Sequence, residues 1–406
     1  MFELGIDVLL RDSARLKRLK GRKVGLLSHP AGVTRNLEPS FDVLAALSSL
    51  GSAQIQLACA FGPQHGMRGE KQDNMIESDD YTDPLLGIPV YSLYGQVRRP
   101  TTKMMDSFEV LLVDLQDVGC RIYTFLTTLF YMMEACAEQG KELWVLDRPN
   151  PAGRPVEGNY LRPGYESFVG AAPLPMRHGL TLGEAALWYR KHKGLELELD
   201  VVAMQGYHPE AGPGFGWPME ELSWVNPSPN MPRLSNARQY AGTVLFEGTN
   251  FSEGRGTTIP LEVFGAPGWS GDSLKQKMLA TAPQWLRGCR LRACHFEPTF
   301  HKFSGELCGG LQVHVDASFY HPQEFKPYRM ASLFLKSVRE LYPDFALWRD
   351  PPYEYEAEKL PIEILSGSGD LVKWVEDPTA TPGDWDEFLA ADEKLWLEER
   401  QEFLLY

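Results

Sequence analysis

The chain has 406 residues, 54 acidic against 40 basic side chains and a formal charge of −14; it is 43% hydrophobic, with 10 Trp, 16 Tyr and 20 Phe. So much apolar and aromatic material excludes a disordered chain, and the length exceeds what one hydrophobic core comfortably serves. The acidic balance excludes a general nucleic-acid or anionic-membrane surface, because phosphates would be repelled, yet leaves room for one basic pocket.

Residues 1–23 lack a charged stretch followed by a long apolar run, so no targeting segment is read and the chain is expected to act in the cytoplasm. No run of about 18 apolar residues exists, so no membrane insertion is expected. The first apolar run, KVGLLS at 23–28, predicts a strand, followed by a helix over 39–50. QIQLACAF at 54–61 is the next strand and ends in the loop GPQHGMRGE at 62–70. EVLLVDL at 109–115 leads through QDVGCR into an apolar helix over 123–139. ELWVL at 142–146 ends in DRPNPAGRP, and 197–204 and 242–246 are further candidate strands. Continuous apolar strands separated by helical patterns predict burial on both faces, hence an α/β fold with a doubly wound, mostly parallel sheet. Residues 205–235, rich in Pro, Gly and Trp, predict a long ordered loop that covers something. Helical stretches at 271–282, 327–342 and 384–401 then flank apolar runs such as 311–315, placing a boundary near 268. The expected domains are 1–268 and a smaller α+β domain over 269–406.

Cys59, Cys120, Cys136, Cys289, Cys294 and Cys308 form no CxxC pair and read as buried small hydrophobes. His29, His65 and His178 stand singly, so no metal site is expected. No phosphate-binding or dinucleotide loop and no GxSxG elbow is present, so no cofactor is expected.

Four loops at predicted strand ends carry unusual polar density. They hold Gln64, His65, Arg68, Glu70, Asp73 and Asn74; then Asp114, Gln116, Asp117, Arg121, Tyr123 and Thr124; then Asp147, Arg148 and Asn150; and last Glu247, Asn250, Ser252, Glu253, Arg255 and Thr257. Each has a structural alternative, Asp117 as a helix cap and Asp147 with Arg148 as a strand-end ion pair. Ligands of open α/β sheets nevertheless sit at the carboxyl ends of the strands, where these loops would converge. Carboxylates, amides and arginines together suit a hydroxylated ligand with a negative group.

These loops lie within longer segments: GLLSHPAGVT at 25–34, GPQHGMRGE at 62–70, PVYSLYG at 89–95, DLQDVGCRIYT at 114–124 and VLDRPNPAGRPVEG at 145–158. Others are SFVGAAPLPMRHGLTLGE at 167–184, PSPNMP at 227–232, FEGTNFSEGRGTTIPLEVFGAP at 246–267, GELCGGLQVHV at 305–315 and the closing FLLY. In these segments, spread over nearly the whole chain, the protein resembles the exo-β-N-acetylmuramidases, glycoside hydrolase family 171, formerly a domain of unknown function, DUF1343. The resemblance implies a Rossmann-like catalytic domain and a smaller C-terminal domain that closes a cleft. It implies exo-hydrolysis of peptidoglycan-derived glycans with release of N-acetylmuramic acid. The lactyl carboxylate of that sugar would take an arginine fork from Arg68, Arg121, Arg148 or Arg255. Its hydroxyls and acetamide would take Gln116, Asp147, Asn150, Asn230 and Asn250, with Tyr123, His178 and Glu184 in the same segments.

One position departs from the family, which usually reads PEHG where this chain has Pro63-Gln64-His65-Gly66. That glutamate is the one associated with catalysis, and an amide neither delivers nor accepts the proton at neutral pH. Glu70 and Glu247 are the first candidates to replace it, followed by Asp117 and Glu184, with His65 beside them and Gln64 orienting the substrate acetamide. The alternative is a homologue that binds a muramic-acid-type sugar with altered or absent catalysis.

Overall fold

The computed structural model describes residues 2–49, 55–69, 71 and 75–406. Its strands in chain order are β1 (Lys23–Ser28), β2 (Gln56–Gly62), β3 (Tyr81–Thr82), β4 (Pro89–Ser92), β5 (Val110–Asp114), β6 (Glu142–Leu146), β7 (Glu157–Tyr160), β8 (Pro175–Arg177), β9 (Leu199–Val202), β10 (Val263–Pro267), β11 (Arg290–Phe296) and β12 (Cys308–His314). Seven of them form one sheet in the order β3-β4-β2-β1-β5-β6-β9, parallel throughout except at the short edge strand β3. This is the doubly wound, mostly parallel sheet that the apolar runs predict, Rossmann-like as the family resemblance implies. Successive strands add on one side of β1 and then on the other, so the order reverses between β1 and β5, where such folds open a crevice.

Side-chain alternation divides the strands between two cores. Leu27, Leu111, Val113, Leu143 and Val145 pack with helix Thr124–Glu138, in a core that continues through Phe246, Phe334 and Trp396 of the C-terminal part. Val24, Leu26, Val110, Leu112, Trp144 and Leu146 face the other way, against Ile6, Leu9, Leu16 and Leu19 of helices Gly5–Arg11 and Ser13–Leu19. Both faces are covered, which is why these strands read as unbroken hydrophobic runs.

The segment 242–246 is not a strand. Helix Leu234–Thr243 runs into a 3-10 turn, Val244–Gly248, and packs on helix Pro327–Leu341. Ala241, Val244, Leu245 and Phe246 are all buried, and a short run that is apolar all round carries no period to separate strand from helix. Residues 207–233 carry no helix or strand, but Tyr207, Trp217, Leu222 and Met231 are buried, and the Trp217 and Trp224 indoles donate to the Leu222 and Met231 carbonyls, each at 3.0 Å. The long loop is therefore ordered by its own aromatic anchors.

The C-terminal part holds the antiparallel sheet β10-β12-β11, flanked by helices Gly271–Thr281, Pro327–Leu341, Pro361–Ser366, Asp370–Glu376 and Pro382–Glu399. β10 lies just ahead of the boundary expected at 268 and already belongs to this second sheet. All six cysteines are buried and unpaired, as small hydrophobes. Among the described residues, no helix is long and apolar enough to cross a membrane.

Candidate active site

The loop after β2 is shaped by backbone that few residues tolerate. A Cβ at Gly62 would lie 2.5 Å from the Met67 nitrogen, and His65 and Gly66 take φ of 72° and 81°. Two tight turns result, Gly66 N–H to Pro63 carbonyl at 3.0 Å and Gly69 N–H to Gly66 carbonyl at 3.1 Å. The His65 ring is fixed through Nδ1, which donates to the Lys71 carbonyl at 2.9 Å. Gln64 is buried, and its Oε1 accepts from the Thr124 hydroxyl at 2.7 Å.

Thr124 opens the helix that follows β5, so the loops after β2 and β5, the two neighbours of β1, meet at this point. Between them His29, at the end of β1, accepts from the Gln116 N–H at Nε2, at 2.9 Å. Burial, then the Arg148 charge, holds this imidazole well below its ordinary pKa, so it stays neutral and serves as an acceptor.

A pocket opens here, lined by Gln64, His65, Tyr123 and Thr124 on one side and by Ser228, Asn230, Tyr240, Glu247, Arg255, Tyr353 and Glu354 on the other. The 3-10 turn delivers Glu247. Its Oε1 accepts from Arg255 Nη2 at 2.6 Å and its Oε2 from the Tyr353 hydroxyl at 2.8 Å. Arg255 lies between two carboxylates, with Nε 3.2 Å from Glu253, which also holds Lys302 at 2.9 Å. Burial works against the Glu253 charge, but Lys302 and then Arg255 outweigh it and keep this carboxyl below its ordinary pKa.

Glu354 stands in a different setting. Both its oxygens accept from the Tyr94 hydroxyl, at 3.1 and 3.2 Å, and burial followed by repulsion from Glu247 raises its pKa to about 7. The pocket thus places one carboxylate held by a cation beside one carboxyl poised near neutrality.

The polar residues expected at strand ends divide between pocket and scaffold. Gln64, His65, Tyr123, Thr124, Asn230, Glu247 and Arg255 line the pocket. The other described ones do not, for visible reasons. Arg121 donates to the carbonyls of Asn159, Leu174 and Leu365, and Arg148 to those of Ala31 and Val33 and to Asp114. The Gln116 amide donates to the Asp117 and Pro149 carbonyls, the Asn150 amide to those of Gly153 and Leu180, and the Asn250 amide to those of Ala346 and Trp348. Asp147 accepts from Thr181, Gly183 and Tyr406, and Glu184 is clamped by Arg154. Asp117 accepts from the Gly119 N–H at 2.6 Å and faces His178 at 3.8 Å; burial raises its pKa to about 7 and lowers that of His178 to about 3. Arg68 is exposed, with its guanidinium 4.8 Å above the Tyr81 ring. Glu70, Asp73 and Asn74 fall outside the described residues.

Four lining residues with polar atoms escape sequence reading: Ser228, Tyr240, Tyr353 and Glu354. PSPNMP marks the neighbourhood of Ser228, but nothing in PPYEYEAEK distinguishes Glu354 from a solvated charge run.

Two profiles of one family, exo-β-N-acetylmuramidase NamZ, match most of the chain: the N-terminal model matches residues 24–235 and the C-terminal model residues 238–406. The chain belongs to the NamZ family. The NamZ profiles meet at the start of helix Leu234–Thr243. The peptidoglycan β-N-acetylmuramidase NamZ of Bacillus subtilis (strain 168) is 40% identical over 343 residues, covering 84% of this chain and 78% of the relative. Among solved structures, a DUF1343 family protein of Bacteroides fragilis superposes with a TM-score of 0.83 at 30% identity, over 100% of this chain and 99% of the other. A second from the same organism, with a TM-score of 0.73 at 24% identity and the same coverage, is alike in fold.

Proposed function

We propose that this protein hydrolyses the terminal β-glycosidic bond of peptidoglycan-derived glycans and releases N-acetylmuramic acid from the non-reducing end. The observation that carries this reading is that the family match extends over both parts of the chain and that both parts build the pocket, the N-terminal sheet giving Gln64 and Thr124, the C-terminal part Glu247, Arg255 and Glu354. Glycosidases use carboxyl groups held in contrasting environments, one ionised and one able to carry a proton. Glu247, hydrogen-bonded to a guanidinium, and Glu354, hydrogen-bonded to a phenol, stand in contrasting environments.

The remaining lining suits the sugar. Asn230, Thr124 and the Gln64 amide offer neutral donors and acceptors for hydroxyls and the acetamide. Thr124 opens a 15-residue helix, whose amino-terminal dipole favours a carboxylate such as the lactyl group. Arg255 adds positive potential while remaining committed to Glu247 and Glu253.

A second reading, sugar binding without turnover, is favoured by the amide at position 64. Release of para-nitrophenol from its β-N-acetylmuramide separates the two. Hydrolysis is the expected result. Calorimetric binding of N-acetylmuramic acid with no release of chromophore would establish the binding reading instead.

A further inference from the structure

We propose that the Glu354 carboxyl, carried to the pocket by the loop 351–356 of the C-terminal part, is the proton donor to the glycosidic oxygen, taking the role that an amide at position 64 cannot fill. The proposal rests on the hydrolase reading and names the group that moves the proton within it.

Elimination among the carboxyl groups of the described residues leads there. Gln64 has no acidic proton, and its carbonyl oxygen is taken by Thr124. Glu247 accepts hydrogen bonds on both oxygens, one from a guanidinium, and protonation would forfeit part of that pairing. Glu253 is bound by Lys302 and Arg255 and does not line the pocket. Asp117, although its pKa is raised by burial, does not line it either.

Glu354 meets the requirements from the opposite direction. Among the described residues its hydrogen-bond partner is a neutral phenol, Tyr94, and no cation is bonded to it. The charged and titratable groups around it are Tyr94 on the sheet side, Arg98 on the same loop as Tyr94, Glu247 on the 3-10 turn, and Tyr353 and Tyr355 on its own loop. Arg98 is engaged elsewhere: it donates to the Gly95 carbonyl, to Glu77 and to Tyr355, with its guanidinium 3.9 Å above the Tyr94 ring. Burial and Glu247 therefore prevail, and the carboxyl keeps its proton to about pH 7.

The loop is also built to hold this side chain in place. Glu354 and Tyr355 take φ of 45° and 70°, a left-handed conformation unfavourable for residues with a Cβ. Reciprocal Tyr353–Glu356 backbone hydrogen bonds, both 2.9 Å, and the Tyr355 hydroxyl donating to Glu77 at 2.9 Å hold that backbone against its strain. Strain kept in this way marks a side chain whose direction matters.

In the step, the Glu354 proton passes to the glycosidic oxygen as the bond from that oxygen to C1 breaks, and the leaving sugar departs as a neutral alcohol. One water balances the reaction: its oxygen bonds to C1, and a proton from it restores the Glu354 carboxyl.

The test compares wild type with Glu354→Gln and Glu354→Asp on two substrates. An N-acetylmuramic acid–N-acetylglucosamine disaccharide has a poor leaving group that needs a proton; the para-nitrophenyl glycoside does not. Glu354→Gln is expected to lose about 10²–10⁴-fold in kcat on the disaccharide and at most about tenfold on the aryl glycoside, with KM little changed. The wild-type disaccharide profile is expected to fall on its alkaline side near pH 7 while the aryl-glycoside profile does not, and Glu354→Asp is expected to recover part of the disaccharide activity. Folding has its own readout. A carboxyl raised from 4.5 to about 7 in the fold penalises ionisation, so wild type loses stability as pH rises through that window and the glutamine variant does not. Glu354→Gln should therefore gain urea resistance relative to wild type between pH 5 and pH 8. Disaccharide turnover unchanged in Glu354→Gln, or equal losses on both substrates, would overturn the proposal alone. Wild type inactive on both substrates would remove the hydrolase reading and the proposal with it.

Discussion

Arg255 touches Glu247 through Nη2 and Glu253 through Nε, with all three side chains buried. Without the cation, two carboxylates would face each other in a medium that screens poorly, and breaking such a buried pair costs about 3–5 kcal/mol. Arg255→Met is expected to lower the unfolding free energy in urea by about that amount, and Arg255→Lys by roughly half, since the charge survives without the fork. A wild-type urea midpoint in Arg255→Met would refute this account. At position 64 the expectation concerns pH instead. Gln64→Glu keeps an acceptor for the Thr124 hydroxyl but adds a negative charge to a pocket that already holds Glu247 and Glu354. Like charge disfavours ionisation, so the alkaline limb assigned to Glu354 should move up by about one pH unit. A limb that stays in place would separate residue 64 from Glu354. The two residues also show how far the sequence was legible. Gln64, His65, Tyr123, Asn230, Glu247 and Arg255 were visible because Gly-rich or irregular loops gather polar side chains. The same density misleads at Arg121, Arg148 and Asn150, because irregular backbone leaves carbonyls that need donors, and these side chains supply them. A polar loop alone does not tell ligand from backbone.

The loop 351–356 acts as a strap between the two parts of the molecule. Tyr353 donates to Glu247, Glu354 accepts from Tyr94, and Tyr355 reaches Glu77 and Arg98. Its contribution to the site was not legible, because Glu354 is brought to Tyr94 and Glu247 by tertiary packing and no local periodicity points there. The 3-10 turn at Glu247 was hidden for a different reason, since its apolar neighbours are buried on every side. Tyr94→Phe tests the strap without touching the carboxyl. The phenol stabilises ionised Glu354, so its loss raises the pKa and moves the alkaline limb of kcat upward. A hydrogen bond worth about 1 kcal/mol corresponds to a move of roughly 0.7 pH unit. Glu247→Gln should move the limb the other way, because it removes the repulsion that raises Glu354. Both variants shifting the limb in the same direction would contradict the electrostatics of the strap.

Across the whole molecule, the chain end closes on the sheet. The Tyr406 hydroxyl donates to Asp147 Oδ2 and accepts from the Met204 N–H, each at 2.8 Å; the Leu405 N–H donates to Glu184 at 2.8 Å, and the Arg400 guanidinium reaches the Arg154 carbonyl at 2.7 Å. Asp147 follows β6 and Glu184 lies on helix Leu182–Lys193, so residues that resemble a sugar site in sequence anchor the C-terminal segment to the sheet edge instead. Strands β1, β2, β5, β6 and β9 of the sheet were predictable from their apolar runs; the short strands β3 and β4 were not. This closure was not, because it pairs residues about 250 positions apart whose local context is an ordinary strand-end turn. Tyr406→Phe removes the hydroxyl from both bonds and leaves a buried carboxyl and a backbone N–H short of partners, at a cost of about 1–3 kcal/mol. Burial and Glu184 already raise Asp147 to about 6, and losing the phenol raises it further, so the deficit should widen as pH rises through that value and the carboxyl must ionise. Urea unfolding at pH 5 and pH 8 measures it. On the proposal that the sugar binds at the Glu247–Glu354 pocket, KM for the aryl glycoside should match wild type at a temperature where the variant is folded. A raised KM with unchanged stability would return Asp147 and Glu184 to the substrate.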